Sequence, residues 1–403
     1  MTKKYNKKLY ILLMTKFRAQ RKYYFSLMIN LIIATILNGC VSKIEDNYNN
    51  TSSKSTKIAL LLPIGSKDRQ LSYIAKSLRD AAILASEDLG NKYFEIKTYD
   101  TYGKLEEGLI AFNFAVKEKN EIIIGPYLSS ITNAITIKFP FNNLKIVSLS
   151  NDPTSLGANV FILDDTITNR ANNLIEHAIN ENKYRFALIS PIENRSTKVE
   201  KMLINKILTN RGNVTFSTHY SEDIGEISDL AGILKQKIKK TNTDVIIFTG
   251  DPDKRMSHLA AELADITNSK KESGVQIIGL SNWNNSASIV SENALEGSWF
   301  AIPDDRFRKF YENKFIKKFG YKPHPKSNLT YDAIAALGVL EKNFNANSFT
   351  YKKFNNLSNS NGFIGIDGIF RFNYDRIAEK ELTVIQVKNG KPKVLKKARN
   401  RFP

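Results

Sequence analysis

The chain has 403 residues, of which 59 are lysine or arginine and 40 are aspartate or glutamate, so its formal net charge is +19. Eight of the basic residues and none of the acidic ones precede Cys40, which leaves 51 basic against 40 acidic residues from there on, a net charge of +11. These lysines are scattered and no arginine cluster flanked by aromatic residues occurs, so the composition does not predict a nucleic-acid-binding protein. A chain with one cysteine also has no internal disulfide.

The segment before Cys40 has the pattern of an export signal. Its first 22 residues contain eight basic and no acidic residues, and the stretch from Phe25 to Leu37 is almost wholly apolar. That stretch has 13 residues and is interrupted by Asn30. Because a helix needs about 20 residues to cross a bilayer, a permanent transmembrane anchor is the weaker interpretation. Residues 1–39 are therefore predicted to be a signal peptide, which initiation at Met14 would shorten.

The single cysteine directly follows this apolar stretch, in the order Leu37, Asn38, Gly39, Cys40. The order resembles the lipobox of bacterial lipoproteins, which implies a lipid group on Cys40 and a location in the cell envelope, on the periplasmic side of a bacterial membrane. The alternative is an ordinary signal peptide with a chance cysteine. Residues 40–57 are polar and rich in Ser, Thr and Asn, which predicts a flexible tether.

The body from Ile58 onward spans about 345 residues, enough for two domains. Short apolar runs alternate with segments that have apolar residues at helical spacing. The predicted strands are 58–62, 94–100, 121–125, 145–150, 160–163, 185–190, 214–220, 244–250 and 275–280. The predicted helices are 72–90, 105–119, 129–138, 168–182, 197–211, 227–240 and 254–268. This alternation predicts an α/β fold with parallel sheets and right-handed crossovers, in two successive lobes.

The order of elements changes near residue 295. Two helices are predicted at 304–319 and 328–344, and a strand at 368–372. Two extended runs then flank Asn389-Gly390, which predicts a β-hairpin with a two-residue turn. Such a hairpin cannot complete a strand-helix-strand unit, so it is predicted to extend an existing sheet.

The order and spacing of several stretches resemble the type I periplasmic binding proteins, specifically the leucine/isoleucine/valine-binding family. The stretches cover about 340 residues and include IALLLPIG, DAAILASEDLG, IIIGPYLSS, IVSLSND, TDVIIFTGDPD, IIGLSNW, LEGSWFA, TYDAIAAL and GFIGIDGIFRFNYD. The resemblance implies two open, doubly wound parallel-sheet lobes joined by a three-crossing hinge that closes on a ligand. It places the N-lobe at 58–164 with about 299–362, and the C-lobe at 165–298 with about 363–398.

The same stretches also resemble the lipoproteins that activate penicillin-binding proteins and share this fold. The resemblances therefore imply two functions. The first is an extracytoplasmic solute-binding lipoprotein of an ABC-type importer, with an amino acid-like solute and a permease as partners. The second is an envelope lipoprotein that regulates a peptidoglycan synthase through contacts with a penicillin-binding protein.

Candidate ligand-binding residues on the N-lobe follow the strands, because ligands of open α/β sheets lie beyond the carboxyl ends of the strands. Ser129 and Ser130 begin a predicted helix whose unpaired N–H groups suit a carboxylate; the alternative is helix capping. The resemblance adds Ser150 and Asn151 to this site, although Asn151-Asp152-Pro153 is also an ordinary turn sequence. The remaining candidate on this lobe outside the aromatic residues is Ser66.

On the C-lobe, the resemblance makes Asp251 or Asp253 a partner for a ligand's ammonium group. A turn followed by a helix cap is the alternative for both aspartates. Trp283 of the C-lobe and Tyr127 of the N-lobe are candidates to enclose an apolar side chain, with core packing as the alternative.

The sequence predicts no enzyme. It contains none of the local motifs of serine hydrolases, zinc proteases or nucleotide-binding loops. Its four histidines share no spacing typical of a metal site, so neither a metal nor a cofactor is expected. A catalytic triad assembled from distant residues leaves no local pattern and stays open.

Overall fold

The computed structural model describes residues 55–140, 144–194, 197–267, 274–281, 283, 293–343, 354 and 356–402. The predicted signal peptide of residues 1–39 and the lipid expected on Cys40 lie outside these residues. The predicted tether ends before residue 57, because the first strand already begins at Thr56. Residues Lys54–Pro403 form one compact unit. No helix within the described residues has the length and apolar character needed to span a membrane.

The first lobe is built on a five-stranded parallel sheet of order β2-β1-β3-β4-β5. Its elements are β1 (Thr56–Leu62), α1 (Arg69–Asp88), β2 (Phe94–Asp100), α2 (Leu105–Lys117), β3 (Ile122–Ile124), α3 (Ser129–Lys138), β4 (Lys145–Ser148) and β5 (Val160–Ile162). Ile58, Leu60 and Leu62 pack on the face covered by α1, while Ala59 and Leu61 pack on the face covered by α2 and α3. Helices on both faces explain why this strand is a continuous apolar run.

The second lobe is built on a seven-stranded sheet of order β15-β14-β10-β9-β8-β6-β7. Its elements are α4 (Ile167–Asn180), β6 (Arg185–Pro191), α5 (Thr197–Thr209), β7 (Asn213–Tyr220), α6 (Ile224–Thr241), β8 (Val245–Phe248), α7 (Lys254–Glu262), α8 (Ala264–Thr267), β9 (Gln276–Gly279), β10 (Trp299–Pro303), β14 (Leu382–Lys388) and β15 (Lys391–Lys396). Strands β6 to β10 run parallel, and β14 and β15 run antiparallel to their neighbours.

The terminal hairpin extends the second sheet, as predicted, because β14 pairs with β10. Its turn residues Asn389 and Gly390 have φ angles of 52° and 65°. A two-residue hairpin turn of this type needs positive φ at both positions, which Asn-Gly tolerates best.

A small antiparallel sheet forms between residues 363 and 380. Only its middle strand is predicted from the sequence. Its strands are β11 (Phe363–Gly365), β12 (Gly368–Phe372) and β13 (Ala378–Lys380). Phe363, Phe370 and Phe372 are buried in the core of the first lobe. The ring of Phe372 packs edge-on against Phe161 of β5, with 5.1 Å between the centroids.

The lobe boundaries consequently differ from the predicted ones at two places. The predicted N-lobe segment 299–362 loses its start, because β10 pairs with β9 and β14 in the second sheet. The predicted C-lobe segment 363–398 loses its first part, because β11 to β13 bury their phenylalanines in the first lobe. The described residues between about 304 and 380 thus belong to the first lobe.

Two long helices complete the first lobe, α9 (Arg308–Phe319) and α10 (Asn328–Asn343). Ala333, Ile334 and Leu337 of α10 pack into the same core cluster as α1. The first of these helices is predicted to begin at residue 304, but in the structure it begins at Arg308. The carboxylate of Asp304 instead accepts the N–H of Arg306 in a turn before the helix.

The described chain passes between the two lobes three times, at 163–166, at 303–307 and at 380–382. Two asparagines of α4 hold the third crossing. Asn173 donates to the carbonyl oxygen of Lys380 at 2.9 Å and accepts the N–H of Leu382 at 3.0 Å, and Asn169 accepts the N–H of Lys380 at 2.9 Å. The predicted fold class, two open α/β lobes joined by a three-crossing hinge, is confirmed.

Candidate functional site

The loops predicted to bind a ligand lie at the carboxyl ends of the parallel strands. In the first sheet, loops 63–66, 125–130 and 148–152 follow the neighbouring strands β1, β3 and β4. In the second sheet, the loop 249–253 and Ser281 follow the neighbouring strands β8 and β9. The fold therefore brings the candidates of each lobe to one edge of its own sheet, the edge at which open α/β sheets bind ligands.

Two backbone N–H groups at the start of α3 are available to an anion. The N-cap position is Leu128, which offers no capping side chain, so neither Ser129 nor Ser130 caps this helix. Across the described ranges, the N–H groups of these two serines donate to no protein acceptor. Ser129 is half-buried and Ser130 is exposed. Unpaired N–H groups give a helix start a partial positive charge, which suits a carboxylate.

Gly125 sets how closely this helix start approaches the sheet. Its φ of 106° lies in the region that favours glycine, and its N–H donates to the carbonyl oxygen of Val147 at 2.8 Å. A Cβ at this position would collide with the carbonyl oxygen of Leu61. The loop therefore keeps its path only with glycine here.

The hydroxyl groups of Ser150 and Ser66 support local turns. Ser150 is buried, and its hydroxyl oxygen accepts the N–H of Asp152 at 3.0 Å. The half-buried Ser66 accepts the N–H of Asp68 at 3.2 Å. Asn151 is exposed beside Ser150, so its side-chain amide is accessible to a ligand.

Tyr127 and Trp283, the two aromatic candidates, lie in different surroundings. Tyr127 is half-buried against the core of the first lobe, and burial raises the pKa of its hydroxyl. Trp283 is fully buried among the second lobe's core residues, including Phe300. Its indole fills the space over Gly279, where any Cβ would overlap it. These contacts assign Trp283 to core packing, which is the alternative to ligand binding that the sequence leaves open.

The two candidate aspartates also differ. Asp253 is the N-cap of α7, where its carboxylate accepts the N–H of Met256 at 2.8 Å and pairs with Arg255 at 2.6 Å. Arg255 in turn pairs with Glu193. Asp251 is exposed, and no described side chain forms an ion pair with it. Asp251 is therefore the available carboxylate at this edge of the second lobe.

Four charged residues that the sequence does not single out connect the two lobes. Lys326, in the turn before α10, donates to both carboxylate oxygens of Asp164, at 2.7 and 2.6 Å. The adjacent Asp165 pairs with Arg170 of α4, and Arg170 also donates to the carbonyl oxygen of Leu280 at 3.4 Å. The first crossing thus binds the first lobe through one aspartate and the second lobe through the other.

The opposite charges of this network favour the ionised form of one another. Burial raises the pKa of Asp165, but Arg170, Asn169 and Lys380 together outweigh burial, and the net pKa lies below the ordinary value. Burial likewise lowers the pKa of Arg170, but the carboxylates of Asp165, Asp164 and Asp251 outweigh it. Asp251 therefore lies near enough to the hinge to act on Arg170, as Tyr127 does on Lys326.

The consecutive aspartates after β5 are the one sequence signal that points to the network, because acidic residues rarely follow a buried strand unpaired. Their partner Lys326 is 162 positions from Asp164, so no local pattern links the two. Among the described residues, no group of three or more His, Cys, Asp or Glu side chains is placed to hold a metal ion.

No family model matches the chain. An uncharacterized protein of Rickettsia prowazekii (strain Madrid E) is 22% identical over 362 residues, which cover 86% of this chain and 90% of that protein. The leucine-binding protein of Thermotoga maritima is a structural neighbour with a TM-score of 0.51 and 22% identity, and the match covers 84% of this chain and 97% of that one.

Two further neighbours have higher TM-scores. A branched-chain amino acid ABC transporter periplasmic ligand-binding protein of Burkholderia xenovorans has a TM-score of 0.61 and 13% identity, with 85% of this chain and 94% of that one covered. An ABC transporter substrate-binding protein of Desulfitobacterium hafniense, solved in complex with Leu, has a TM-score of 0.57 and 16% identity, with 85% and 100% covered. All three of these structural neighbours are named as binding proteins. The chain therefore has the fold of the type I periplasmic binding proteins.

Proposed function

We propose that the protein is an extracytoplasmic solute-binding lipoprotein of an ABC-type importer, which binds a small polar solute such as an amino acid between its lobes. The observation that carries the proposal is that one lobe has a helix start with two unpaired N–H groups and the other has a carboxylate without an ion-pair partner among the described residues. The N–H groups of Ser129 and Ser130 supply the first, and Asp251 supplies the second. Together they match the two charges of an amino acid zwitterion.

Each lobe thus provides one half of the site, and the hinge decides whether both halves reach the solute. Closure about the three crossings would bring Asp251 toward the start of α3 and exclude water from the ligand. Asn151 and Tyr127 lie at the same edge of the first lobe, and we expect them to contact the remainder of the solute. Two structural neighbours are named as a leucine-binding protein and a branched-chain amino acid ABC transporter periplasmic ligand-binding protein, and a third was solved with Leu, which supports an amino acid as the solute.

Isothermal titration of residues 41–403 with each of the standard amino acids tests the proposal. At least one should bind, and Asp251→Asn should weaken its binding about tenfold or more, because a hydrogen bond to a charged group contributes about 1.5 to 3 kcal/mol. Asp253→Asn is the matched control, since asparagine caps a helix about as well as aspartate and this residue is engaged with Arg255. Absence of binding by every amino acid would contradict the proposal.

The lipid anchor at Cys40 and the location on the periplasmic side of a bacterial membrane belong to the same proposal. They rest on the lipobox-like order before Cys40 and on the extracytoplasmic relatives of the fold. Mass spectrometry of the protein from cells should find Cys40 as an acylated N-terminus. An unmodified Cys40 would remove the anchor and leave solute binding untouched.

Regulation of a penicillin-binding protein is the second candidate function. The observation that favours it is that two of the three C-lobe candidates, Asp253 and Trp283, are engaged within the protein. A module that acts through protein contacts does not need a complete solute site. Co-purification of a penicillin-binding protein from membranes, together with no detectable binding in any amino acid titration, would favour this function.

A further inference from the structure

The end of the chain is a strongly basic hairpin. After Glu381, the last 22 residues contain five lysines and two arginines and no acidic residue. They form β14, the Asn389-Gly390 turn, β15 and the segment that follows. Every residue of β15 from Lys391 to Leu395 is exposed, as expected for the outermost strand of the second sheet.

Three of these lysines lie close together on one face of the hairpin. Lys388 pairs directly with Lys391 across the two strands, and Gln386 pairs with Lys393. Because alternate residues of a strand share a face, Lys388, Lys391 and Lys393 all point to the same side. Like charges directly opposite one another destabilise a strand pair. The arrangement therefore costs stability unless an anionic partner offsets it.

The protein itself provides little compensation for these charges. Lys396 and Arg399 pair with Glu176, whereas no carboxylate in the described part of the chain forms an ion pair with Lys388, Lys391 or Lys393. The carboxylate of Glu296 accepts the backbone N–H groups of Asn389 and Gly390 in the turn. That contact holds the turn in place and leaves the three ammonium groups to the solvent.

The lysines lie at the far end of the second lobe from the proposed solute site. Gln386 of β14 pairs with Trp299 of β10, and Trp299 pairs with Ile278 of β9. Because β14 runs antiparallel to β10, Lys388 lies near the start of β9. The side-chain amide of Gln276, the first residue of β9, donates to the carbonyl oxygen of Gly297, which agrees with this strand register. Ser281 and the loop that holds Asp251 lie at the opposite edge of the same sheet. A partner at the hairpin would leave access to the solute site unchanged.

We propose that the terminal hairpin is a docking surface for an anionic phospholipid bilayer. Three ammonium groups on one exposed face match a plane of phosphate groups, which attracts each nearby lysine independently of any specific shape. This contact needs no lipid at Cys40, and it does not depend on solute binding.

Lysines on an edge strand have a second explanation, protection against edge-to-edge aggregation. That role requires only charge on the outer strand, whereas Lys388 lies on the inner strand β14, opposite Lys391. The clustering on one face of both strands is what a flat anionic surface would select.

The experiment measures binding of residues 41–403 to lipid vesicles by flotation. These residues include the whole compact unit and omit Cys40, so a lipid anchor cannot contribute. Vesicles contain either phosphatidylcholine alone or about 30 mol% phosphatidylglycerol, at about 0.05 M and about 0.5 M salt. The test variant carries Lys388→Glu, Lys391→Glu and Lys393→Glu. The matched control carries Lys237→Glu, Lys239→Glu and Lys240→Glu, three exposed lysines of α6 on the same lobe.

The protein should bind the phosphatidylglycerol vesicles at low salt and bind neither the neutral vesicles nor any vesicle at high salt. The hairpin variant should lose about 100-fold or more in affinity, because each lysine near an anionic surface changes binding about fivefold. A Lys→Arg triple variant of the same positions should keep its affinity, and the α6 control should change it by less than about threefold. Equal losses in the hairpin and α6 variants would overturn the proposal, as would absence of binding to phosphatidylglycerol by the unmodified sequence.

Discussion

Lys326 donates hydrogen bonds to both carboxylate oxygens of Asp164, at 2.7 and 2.6 Å, and so joins the turn before α10 to the first crossing between the lobes. The side chain of Asp164 is 6% exposed and that of Lys326 is 34% exposed. The pair is therefore partly shielded from water, and its loss would leave a carboxylate with little hydration at the hinge.

Lys326→Met should lower the free energy of unfolding by about 2 to 3 kcal/mol, less than the about 3 to 5 kcal/mol typical of a fully buried pair, because Lys326 is partly exposed. Urea unfolding measures the effect. Lys314→Met is the matched control, since Lys314 pairs with Asp88 in a more exposed setting and should cost less than about 1 kcal/mol. Equal losses in the two variants would show that Asp164 gains nothing from its partner.

Asn173→Ala should destabilise the third crossing. The variant leaves the carbonyl oxygen of Lys380 and the N–H of Leu382 without their partner, which should cost about 2 to 3 kcal/mol in unfolding free energy. The neighbouring Asn172 is only half-buried, so Asn172→Ala should cost less than about 1 kcal/mol. Hydrogen exchange at Leu382 should accelerate in the first variant alone; an unchanged rate there would contradict the assigned role of Asn173.

Asp332 predicts a pH dependence of stability. It is fully buried beneath Gly365, and burial raises its pKa to about 7, against the partial opposition of Lys380. The folded state therefore holds this proton at pH values where the unfolded chain has lost it, so stability falls as the pH rises from about 4 to about 7. The neighbouring Asp367, whose pKa burial also raises, acts in the same sense.

Asp332→Asn removes one of these titrations. Between about pH 5 and about pH 8, the unfolding free energy of the unmodified sequence should fall by about 2 to 3 kcal/mol more than that of the variant. Urea unfolding at several pH values makes the comparison. Parallel pH profiles for the two proteins would mean that Asp332 is ionised throughout this range.

Trp283 should act on stability and not on the solute. Trp283→Phe removes part of a fully buried side chain, so we expect a loss of about 1 to 3 kcal/mol in unfolding free energy. The affinity for any amino acid found by titration should stay within about twofold, because a core residue does not touch the ligand. Gly279→Ala should be destabilising by at least as much, since its Cβ would overlap the indole. A specific loss of affinity in Trp283→Phe would return this residue to the binding site.

The parts of the fold that the sequence predicts well are those that depend on neighbours in the chain. The helix from Ser129 to Lys138 has the predicted bounds, and the Asn389-Gly390 turn follows from the positive φ angles that these two residues tolerate. The buried strand from Ile58 to Leu62 is equally visible, because a sheet covered on both faces requires an unbroken apolar run.

The parts that the sequence does not predict depend on distant contacts. The outer strands of the third sheet, β11 and β13, are only three residues long, so unlike the predicted strand β12 they lack a strand pattern of their own. The pairing of Lys326 with Asp164 arises only when the hinge forms. The burial of Trp283 depends on the absence of a side chain at Gly279, four positions away on a strand.

The most direct test of solute capture is a crystal structure of residues 41–403 grown with the amino acid that titration selects. We predict density for one molecule between the lobes, with its carboxylate at the N–H groups of Ser129 and Ser130 and its ammonium group at Asp251. Density for the amino acid at any other place, with these groups left free, would contradict it.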